Sequence, residues 1–383
     1  MQSLKYLIFV LLVNMQGIAC KGQNFTYESV PSEYIPQYNK QYVAEVEQIK
    51  KIAVDLTNYL PTGYVTDGSV NYTSEMQKGI NANKILLMPD FPIMTSGIHL
   101  INGTTLIFQK NSLLKMIPSS KEVYAIIGID QVHDVNVYFA KIKGDRSEHI
   151  GTKGEWGFGI GINSSKNVRI LEPNISNCWG DGIYINNMGR SLNKTMLDSN
   201  NIFIDGAWID NNRRNGISVI DGNNIKISNS VISNTNGTLP MSGIDIEPNN
   251  GFGELKNINI ENVTTFNNSK FGILISLAFF VNRSQKNIKL TIKNSTDDGS
   301  NYGMGFVFDW PQKNDSINAK GIIDVINPIW KNGRSGEVKF PLYSSTNNVI
   351  LKFDNAKVFK NGQTEAFPFQ PIYLNKTKNI IVE

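Results

Sequence analysis

The chain has 383 residues, of which 40% are hydrophobic and only 18% are charged. This composition describes a globular protein of one large domain or two ordinary ones, with a sparsely charged surface. The formal net charge of +4 is too small to demand an anionic partner. No basic cluster with interleaved aromatic residues is present in the sequence, so nucleic acid is not expected as a partner.

The first twenty residues, MQSLKYLIFVLLVNMQGIAC, are typical of an export signal. Lys5 supplies the positive end, and the apolar run Tyr6–Val13 is too short to span a bilayer as a mature helix. The segment Gly17–Cys20 resembles a bacterial lipobox, in which the cysteine becomes the lipidated first residue; a plain cleaved signal is the alternative. We therefore predict a bacterial lipoprotein that is secreted, at the cell surface or periplasmic, with membrane contact only through a lipid on Cys20.

The middle of the chain repeats a unit in which a Gly is followed by alternating apolar residues. An apolar period of two excludes helical repeats, and the unit is shorter than a propeller blade. We predict an all-β fold, a right-handed parallel β-helix in which each unit forms one coil and the coils stack about 4.8 Å apart. The repeated glycines, spaced by 23, 34, 27 and 29 residues, are Gly159, Gly182, Gly216, Gly243 and Gly272.

Other segments fit the same architecture. Residues 40–59 and the stretch EMQKGINAN have helical spacing, and we expect short N-terminal helices that cap the exposed strand edges. Cys178 is expected to pack in a turn. The predicted organisation is a signal peptide over residues 1–20, an N-terminal segment with a helix over 21–64 and a β-helix domain over 65–383. One Asn recurs at a fixed place in the coils, which predicts a ladder of side-chain hydrogen bonds through Asn177, Asn211, Asn234 and Asn267.

The start of the predicted stack resembles the pectate-lyase-like superfamily, in the order of an acidic-Gly pair (Asp67–Gly68), a helix with Met76–Lys78 and a strand ending in Pro. The coil segments Trp179–Ile185 and Asn212–Ile217 are similar to those of mannuronan C-5 epimerases. The resemblance covers roughly residues 65–310 and implies a pectin-lyase-like β-helix that acts on carbohydrate. The catalytic motifs expected of those epimerases and of polygalacturonases are absent, so no catalytic residue is carried over from them.

Aligning the coils on their glycines places three columns of side chains on the outward face of one sheet. Polar and acidic groups concentrate on the middle three coils. Asp245 and Glu247 lie about 6.6 Å apart along their strand, near the roughly 6.5–9.5 Å between the carboxyls of inverting glycosidases. We predict them as a catalytic pair, with Glu247 favoured as the general acid and Asp245 as the base, and with the reverse left open. Asp181, two coils away, joins the catalytic set as a helper or sugar-binding group.

Residues around these acids are candidates for binding the sugar polymer. One of two adjacent arginines is expected to hold a uronate bidentately or to pair with Asp181 or Asp245. A His near carboxylates can act as acid or base at neutral pH, and the alternative is a His on a surface loop. The candidates are Arg213, Arg214, Tyr184, Trp179, His149 and Asn215.

Three functions fit these residues. The favoured one is an exported glycoside hydrolase that cleaves a polysaccharide along the outward groove, with one carboxyl protonated and one ionised; it needs no cofactor. The second is a lyase or C-5 epimerase acting on a uronic-acid polymer, with Arg, His or Tyr as the base. In that case Asp181, Asp245 and Glu247 are candidates to bind Ca²⁺. The third is a non-catalytic glycan-binding β-helix.

Overall fold

In the computed structural model, the chain winds into a parallel β-helix of three sheets, which confirms the predicted fold class. The predicted signal peptide, with Cys20, lies outside the described residues. Within the described part of the chain, no helix is long and apolar enough to cross a membrane. The residues that the structure describes are 25–187, 198–249, 253–280, 285–308, 318–342, 348–365, 367 and 379–383.

The first sheet has twelve strands, all paired in parallel, and it follows the stack from the first described coil to the last. Its first strand lies ahead of residue 65, the predicted start of the β-helix domain. The strands are Val54–Asp55, Ile85–Leu87, Thr105–Ile107, His133–Tyr138, Lys166–Leu171, Asn200–Asp205, Gly222–Ser228, Leu255–Glu261, Lys286–Lys293, Ala319–Ile326, Asn348–Asp354 and Ile380–Val382.

Within a coil the chain passes through the third sheet, then the first and then the second. The second sheet has eleven strands: Pro92–Thr95, Leu113–Met116, Lys141–Lys143, Asn174–Ser176, Trp208–Asp210, Val231–Ser233, Thr264–Phe266, Thr296–Asp298, Ile329–Lys331, Lys357–Lys360 and Gln363–Glu365. The third sheet has nine strands: Ile98–His99, Val123–Asp130, Trp156–Asn163, Ile183–Asn186, Asn215–Val219, Ser242–Ile246, Phe271–Ser276, Tyr302–Val307 and Gly336–Leu342.

Branched apolar residues fill the interior of the stack in rows. Burying each such side chain contributes about 1.5–3 kcal/mol relative to leaving it in water. Cys178 also lies inside, 1% exposed, and burial raises the pKa of its thiol. Because alternate residues of a strand face opposite sides, the residues between these interior ones face outward. One row in the third sheet, in register and at most 2% exposed, consists of Ile160, Ile183, Ile217, Ile244 and Ile273.

Asparagines form many of the turns between sheets, which explains their abundance. Asn177, Asn211, Asn234 and Asn267 have φ angles of 58°, 53°, 57° and 48°, a left-handed region that Asn enters more readily than most residues. Asn211 Nδ2 donates to Asn177 Oδ1 and Asn267 Nδ2 donates to Asn234 Oδ1, both at 2.8 Å. Between these pairs, Asn234 Nδ2 donates to Asp210 Oδ1 at 2.8 Å. The predicted ladder therefore forms as two pairs.

Two helices lie near the start of the described part of the chain, one on each side of the first rung of the stack. Helix α1 (Lys40–Ile49) begins where the Asn39 side chain accepts from the backbone N–H of Gln41, and it packs on an apolar cluster of its own beside the first sheet. Helix α2 (Thr73–Ala82) buries Met76 and Ile80 in the main core. The helical pattern over residues 40–59 ends early, because Val54 and Asp55 pair with the next strand and become the first rung. Two 3-10 turns, Lys50–Ile52 and Leu56–Tyr59, flank that rung.

A carboxyl group interrupts the interior row of the second sheet. Asp297 pairs in register with Thr265 on one side and Trp330 on the other, at a place where earlier coils carry Ile. Thr265 Oγ1 donates to Asp297 Oδ1 at 2.7 Å, whereas Oδ2 has no hydrogen-bond partner among the described residues. Burial raises the pKa of Asp297 from 3.8 to about 7, against hydrogen bonds from Ser300 and Thr265 that lower it.

This buried acid predicts a pH-dependent stability. The pKa of Asp297 is higher in the folded state than in the unfolded state, so its protonation stabilises the fold at low pH. This stabilisation is lost as pH rises to about 7. The loss is at most about 1.4 kcal/mol per pH unit. Asp297→Asn should therefore become more stable than the wild type as pH rises towards about 8. Urea midpoints at several pH values measure this, and a wild-type–variant difference that does not change with pH would contradict it.

Candidate active site

The predicted columns lie on the outer face of the third sheet. Tyr184, Ser218, Asp245 and Leu274 are in register across four neighbouring strands. Aligning the coils on their glycines therefore predicts this row of outward residues correctly. The structure adds that this face is covered, because Ser218 and Asp245 are both fully buried. Polar groups on a face that is shielded from water must find their hydrogen-bond partners within the protein.

Asp181 is fully buried and surrounded by donors. It accepts from Arg214 Nη1 at 2.9 Å, from Ser218 Oγ at 2.8 Å and from the backbone N–H of Asn215 at 3.0 Å. Burial raises the pKa of Asp181, and these three donors oppose that effect. A guanidinium and two further donors favour the ionised form of this carboxyl.

Asn215 connects Asp181 to Asp245. Its Nδ2 lies 3.0 Å from both Ser218 Oγ and Asp245 Oδ2, and its Oδ1 accepts from the backbone N–H of Ser242 at 3.1 Å. Asp245 Oδ1 is buried and has no hydrogen-bond partner within the described ranges. One oxygen of this carboxyl is thus fixed as an acceptor, while the other is left for a proton or a ligand.

Asp245 and Glu247 form an electrostatically coupled pair. Burial raises the pKa of Asp245 well above its ordinary value, and the charge of Glu247 raises it further, against Arg214 and Asn215. Burial also raises the pKa of Glu247, but Arg214 and a hydrogen bond from Ser276 lower it. Asp245 is fully buried, whereas Glu247 is partly exposed. A buried carboxyl beside a like charge is costly to ionise, which favours a proton on the pair.

Arg214 is the cation at the centre of this face, with an 11% exposed side chain. Burial acts to lower the pKa of its guanidinium, but four carboxylates outweigh burial and raise it. We call the following residues the carboxyl cluster: Asp181, Asp245, Glu247 and Glu155.

Glu155 comes to the cluster from outside the repeat. The Gly180 N–H donates to the Gly157 carbonyl at 2.7 Å, which docks the loop before strand Trp156–Asn163 against the next coil. A Cβ at Gly180 would lie 2.4 Å from the Glu155 carbonyl oxygen, so only Gly allows this approach. Burial raises the pKa of Glu155, and the nearby Arg214 lowers it. In the sequence, Glu155 lies in a polar loop ahead of the first Gly coil. Because this loop is not part of the repeat, aligning the coils does not lead to Glu155.

Trp179 holds that loop in place. The His149 ring stacks on one side at 3.9 Å between centroids, and the Arg213 guanidinium lies 3.7 Å from the indole centroid. Trp179 Nε1 and Arg213 Nη1 both donate to the Gly154 carbonyl, each at 3.1 Å. Arg213 and Trp179 thus fix the residue that precedes Glu155.

His149 belongs to a second buried network behind this stack. Its side chain is fully buried, and its Nδ1 lies 2.9 Å from Asp145 Oδ2. The Tyr124 hydroxyl donates to the other oxygen of Asp145. The structure therefore places His149 inside the protein, not on a surface loop and not against Asp245.

Aromatic pairs flank the carboxyl cluster along the stack. Phe158 and Tyr184 stack at 4.2 Å, with planes 6° apart, on the earlier coils. Phe271 and Tyr302 stack at 5.9 Å on the later coils. Asn249 Nδ2 lies 3.3 Å from the Tyr184 hydroxyl.

The structure places the predicted site residues in three neighbouring groups. Those joined by direct contacts or charge at the carboxyl cluster are Asp181, Arg214, Asn215, Asp245 and Glu247. Those in the stack beside it are Trp179, Arg213 and His149, and Tyr184 lies in the flanking aromatic pair. Among the described residues, no group of three or more His, Cys, Asp or Glu side chains is arranged to hold a metal ion.

Sequence comparisons give partial matches. No protein-family profile matches the chain. The chain is 31% identical over 168 residues to the uncharacterized protein YclG of Bacillus subtilis. It is 28% identical over 174 residues to the SPbeta prophage-derived uncharacterized protein YorA of the same organism. These matches cover 42% and 43% of this chain but only 28% and 29% of those proteins, so the chain spans less than a third of their length.

Solved structures share the architecture at low identity. A 1,3-α-1,4-β-D-galactose-4-sulfate-3,6-anhydro-D-galactose-2-sulfate 4 galactohydrolase matches with a TM-score of 0.60 and 11% identity, over 83% of this chain and 95% of that one. The A-module of an Azotobacter vinelandii mannuronan C-5 epimerase matches with 0.56 and 13%, over 80% and 88%. A polygalacturonase from Erwinia carotovora matches with 0.53 and 15%, over 83% and 95%. The chain thus has the right-handed parallel β-helix fold of the pectin-lyase-like proteins.

Proposed function

We propose that this protein is a carbohydrate-active enzyme that hydrolyses glycosidic bonds of a polysaccharide at the carboxyl cluster. The observation that carries the proposal is the coupled pair Asp245 and Glu247, with one unpartnered oxygen on a buried carboxyl. Glycoside hydrolysis needs one carboxyl that donates a proton and another that stays ionised. The fold adds support, since the matched structures include a galactohydrolase and a polygalacturonase.

Within the pair we propose Asp245 as the general acid and Glu247 as the base or nucleophile. Burial and the Glu247 charge together raise the pKa of Asp245, whereas Arg214 and Ser276 favour the ionised form of Glu247. Asp245 Oδ2 already accepts from Asn215, so the proton sits on Oδ1. This is the reverse of the assignment that the sequence favours.

A lyase or epimerase mechanism finds less support. It needs a cation to neutralise the substrate carboxylate and a base to remove the neighbouring proton. Arg214 is paired with Asp181, and Arg213 lies on Trp179 and donates to the carbonyl oxygens of Gly154 and Trp179. His149 is buried against Asp145. One nitrogen of each of these side chains is therefore engaged in the protein's own structure, whereas Arg214 Nε and His149 Nε2 have no hydrogen-bond partner among the described residues.

Product analysis tests the proposed class of reaction. We would incubate the protein with a panel of neutral and uronic polysaccharides and follow new reducing ends together with the ultraviolet absorbance of unsaturated uronates. Hydrolysis predicts reducing ends without that absorbance. Both signals together would show a lyase. Binding without any product would favour a glycan-binding protein.

Export remains a proposal drawn from the leader sequence. Cys20 is proposed as the lipid attachment site, and the protein is then a bacterial surface or periplasmic lipoprotein. Incorporation of labelled palmitate by the wild type and not by Cys20→Ser tests this directly.

A further inference from the structure

The turns between the first and second sheets carry a second asparagine ladder. Each Asn donates its side-chain Nδ2 to the Oδ1 of the Asn one coil before it, at 2.9–3.1 Å. The register of the first sheet puts Glu172 and Gly206 at the same place in the two coils ahead of the ladder. The ladder therefore stops where these two residues replace Asn. Its members, all with left-handed φ angles, are Asn229, Asn262, Asn294, Asn327 and Asn355.

A cavity of about 300 Å³ lies at this interruption. Gly206 has no side chain to fill it, and a Cβ at Gly206 would lie 2.8 Å from Glu172 Cγ. Residues of the segment that leads into helix α1 also line the cavity, so it lies between that segment and the stack. The polar side chains that line it belong to Gln37, Asn39, Glu172, Asp205 and Asn229.

Glu172 brings a buried oxygen without a partner to this cavity. The residue is only 8% exposed. Its Oε1 accepts from the backbone N–H of Asn39, whereas its buried Oε2 has no hydrogen-bond partner among the described residues. Asn39 caps helix α1, and a helix N-terminus supplies only about half an elementary positive charge. One oxygen of a buried carboxylate is thus left for a ligand, since leaving it bare is costly.

Asp205 is the second buried acid of the cavity, and it is 4% exposed. Its Oδ1 accepts from Ser228 Oγ at 2.6 Å and from Asn229 Nδ2 at 2.8 Å, and its Oδ2 accepts from the Tyr42 hydroxyl at 2.8 Å. All three donors are uncharged, so they orient the carboxylate without neutralising it. None of the described residues that line the cavity is Lys, Arg or His.

We propose that this cavity binds a Ca²⁺ ion that joins the N-terminal segment to the stack. Its polar lining offers carboxylate and amide oxygens, which are the ligands that Ca²⁺ prefers. Two carboxylates, Glu172 and Asp205, match the charge of the ion. About 300 Å³ also leaves room for several waters, each of which takes about 30 Å³. With only two acids, the expected Kd is about 10⁻⁴–10⁻³ M, as in extracellular calcium modules.

This site is separate from the carboxyl cluster on the third sheet, and the proposal does not depend on the proposed hydrolysis. Calcium titration of the chelator-treated full chain tests it first. Calorimetry should show one bound ion with a Kd in the stated range. The melting temperature should rise with the calcium concentration, because the ion binds the folded chain. No binding heat and no rise in melting temperature up to about 10 mM Ca²⁺, tenfold above that range, would overturn the proposal.

Two variants of Glu172 assign the ligand. Glu172→Gln keeps the shape of the side chain and can still accept from Asn39, but it should weaken calcium affinity at least about tenfold, since even outer partners of a metal contribute that much. Glu172→Asn introduces the residue that later coils carry at this turn, so it should fold and lose the ion. Glu365→Gln, at an exposed ion pair with Lys360, is the control and should bind as the wild type does. Wild-type affinity in both Glu172 variants would overturn the proposal.

Hydrogen exchange locates the ion. Calcium should slow exchange of the backbone amides over residues 36–42 in the wild type and not in Glu172→Gln, because the ion fixes that segment against the stack. Calcium-dependent protection confined to the third sheet would place the ion at the carboxyl cluster and overturn the proposal. A failure to hydrolyse any glycan would refute the proposed function and leave this result unchanged.

Discussion

Asp245→Asn is expected to lower kcat/KM for the hydrolysed glycan by about 10²–10⁴-fold, the typical contribution of a general acid. The amide keeps the shape of the side chain and its carbonyl oxygen can still accept from Asn215, but it has no acidic proton to give to the leaving group. Glu247→Gln should cause a loss of similar size, because the amide can neither activate water nor attack the sugar. Initial rates of reducing-end release at several substrate concentrations measure both losses.

The matched control for these variants is Glu261→Gln. Glu261 pairs with Lys226 on the first sheet, where both side chains are substantially exposed. The same chemical change should therefore leave kcat/KM unaltered and cost little stability. If Asp245→Asn or Glu247→Gln retained the rate of this control, the pair would not be the site of catalysis.

Arg214→Met is expected to destabilise the fold by about 3–5 kcal/mol, the usual result of removing one partner of a buried ion pair. The loss leaves Asp181 and its neighbours without their guanidinium. Their pKa values then rise in the folded state, so the folded variant binds more protons than the unfolded chain does. Because the folded variant binds more protons than the unfolded chain, the free energy of unfolding of the variant should rise as pH falls.

Urea unfolding at neutral and acidic pH measures both parts of this prediction. Arg169→Met is the control, because Arg169 and Glu45 also form an ion pair but with side chains 36% and 35% exposed. That pair should contribute about 1 kcal/mol or less. An equal cost for the two variants would mean that Arg214 does not compensate a buried cluster.

The rows of the site could be predicted from sequence because the repeat fixes them. Each Gly marks the same place in its coil, so counting from Gly182, Gly216 and Gly243 gave the register of the outward residues. The interior isoleucines follow from the same count. This also placed Asp245 and Glu247 on one face, since alternate residues of a strand share a side.

The contacts within those rows could not be predicted in the same way. Glu155 comes from a loop that does not repeat, so no count leads to it. The direction of a long side chain such as Arg214 depends on the three-dimensional arrangement of Asp181 and Ser218. The position of Arg213 over the Trp179 ring has the same origin. The preference for Glu247 as the acid was reversed in the proposed mechanism because burial and hydrogen bonding, which decide the pKa, are not visible in a sequence.

The proton on Asp245 is the most direct test of this mechanism. Difference infrared spectroscopy between wild type and Asp245→Asn at neutral pH detects the carbonyl stretch of a protonated carboxyl. Asp297→Asn serves as the reference for the other buried acid. We predict that Asp245→Asn removes one component of the wild-type carbonyl band and that this component persists in Asp297→Asn, which removes only the contribution of Asp297. A spectrum of Asp245→Asn that keeps the whole band would show that Asp245 is ionised and would contradict its role as the acid.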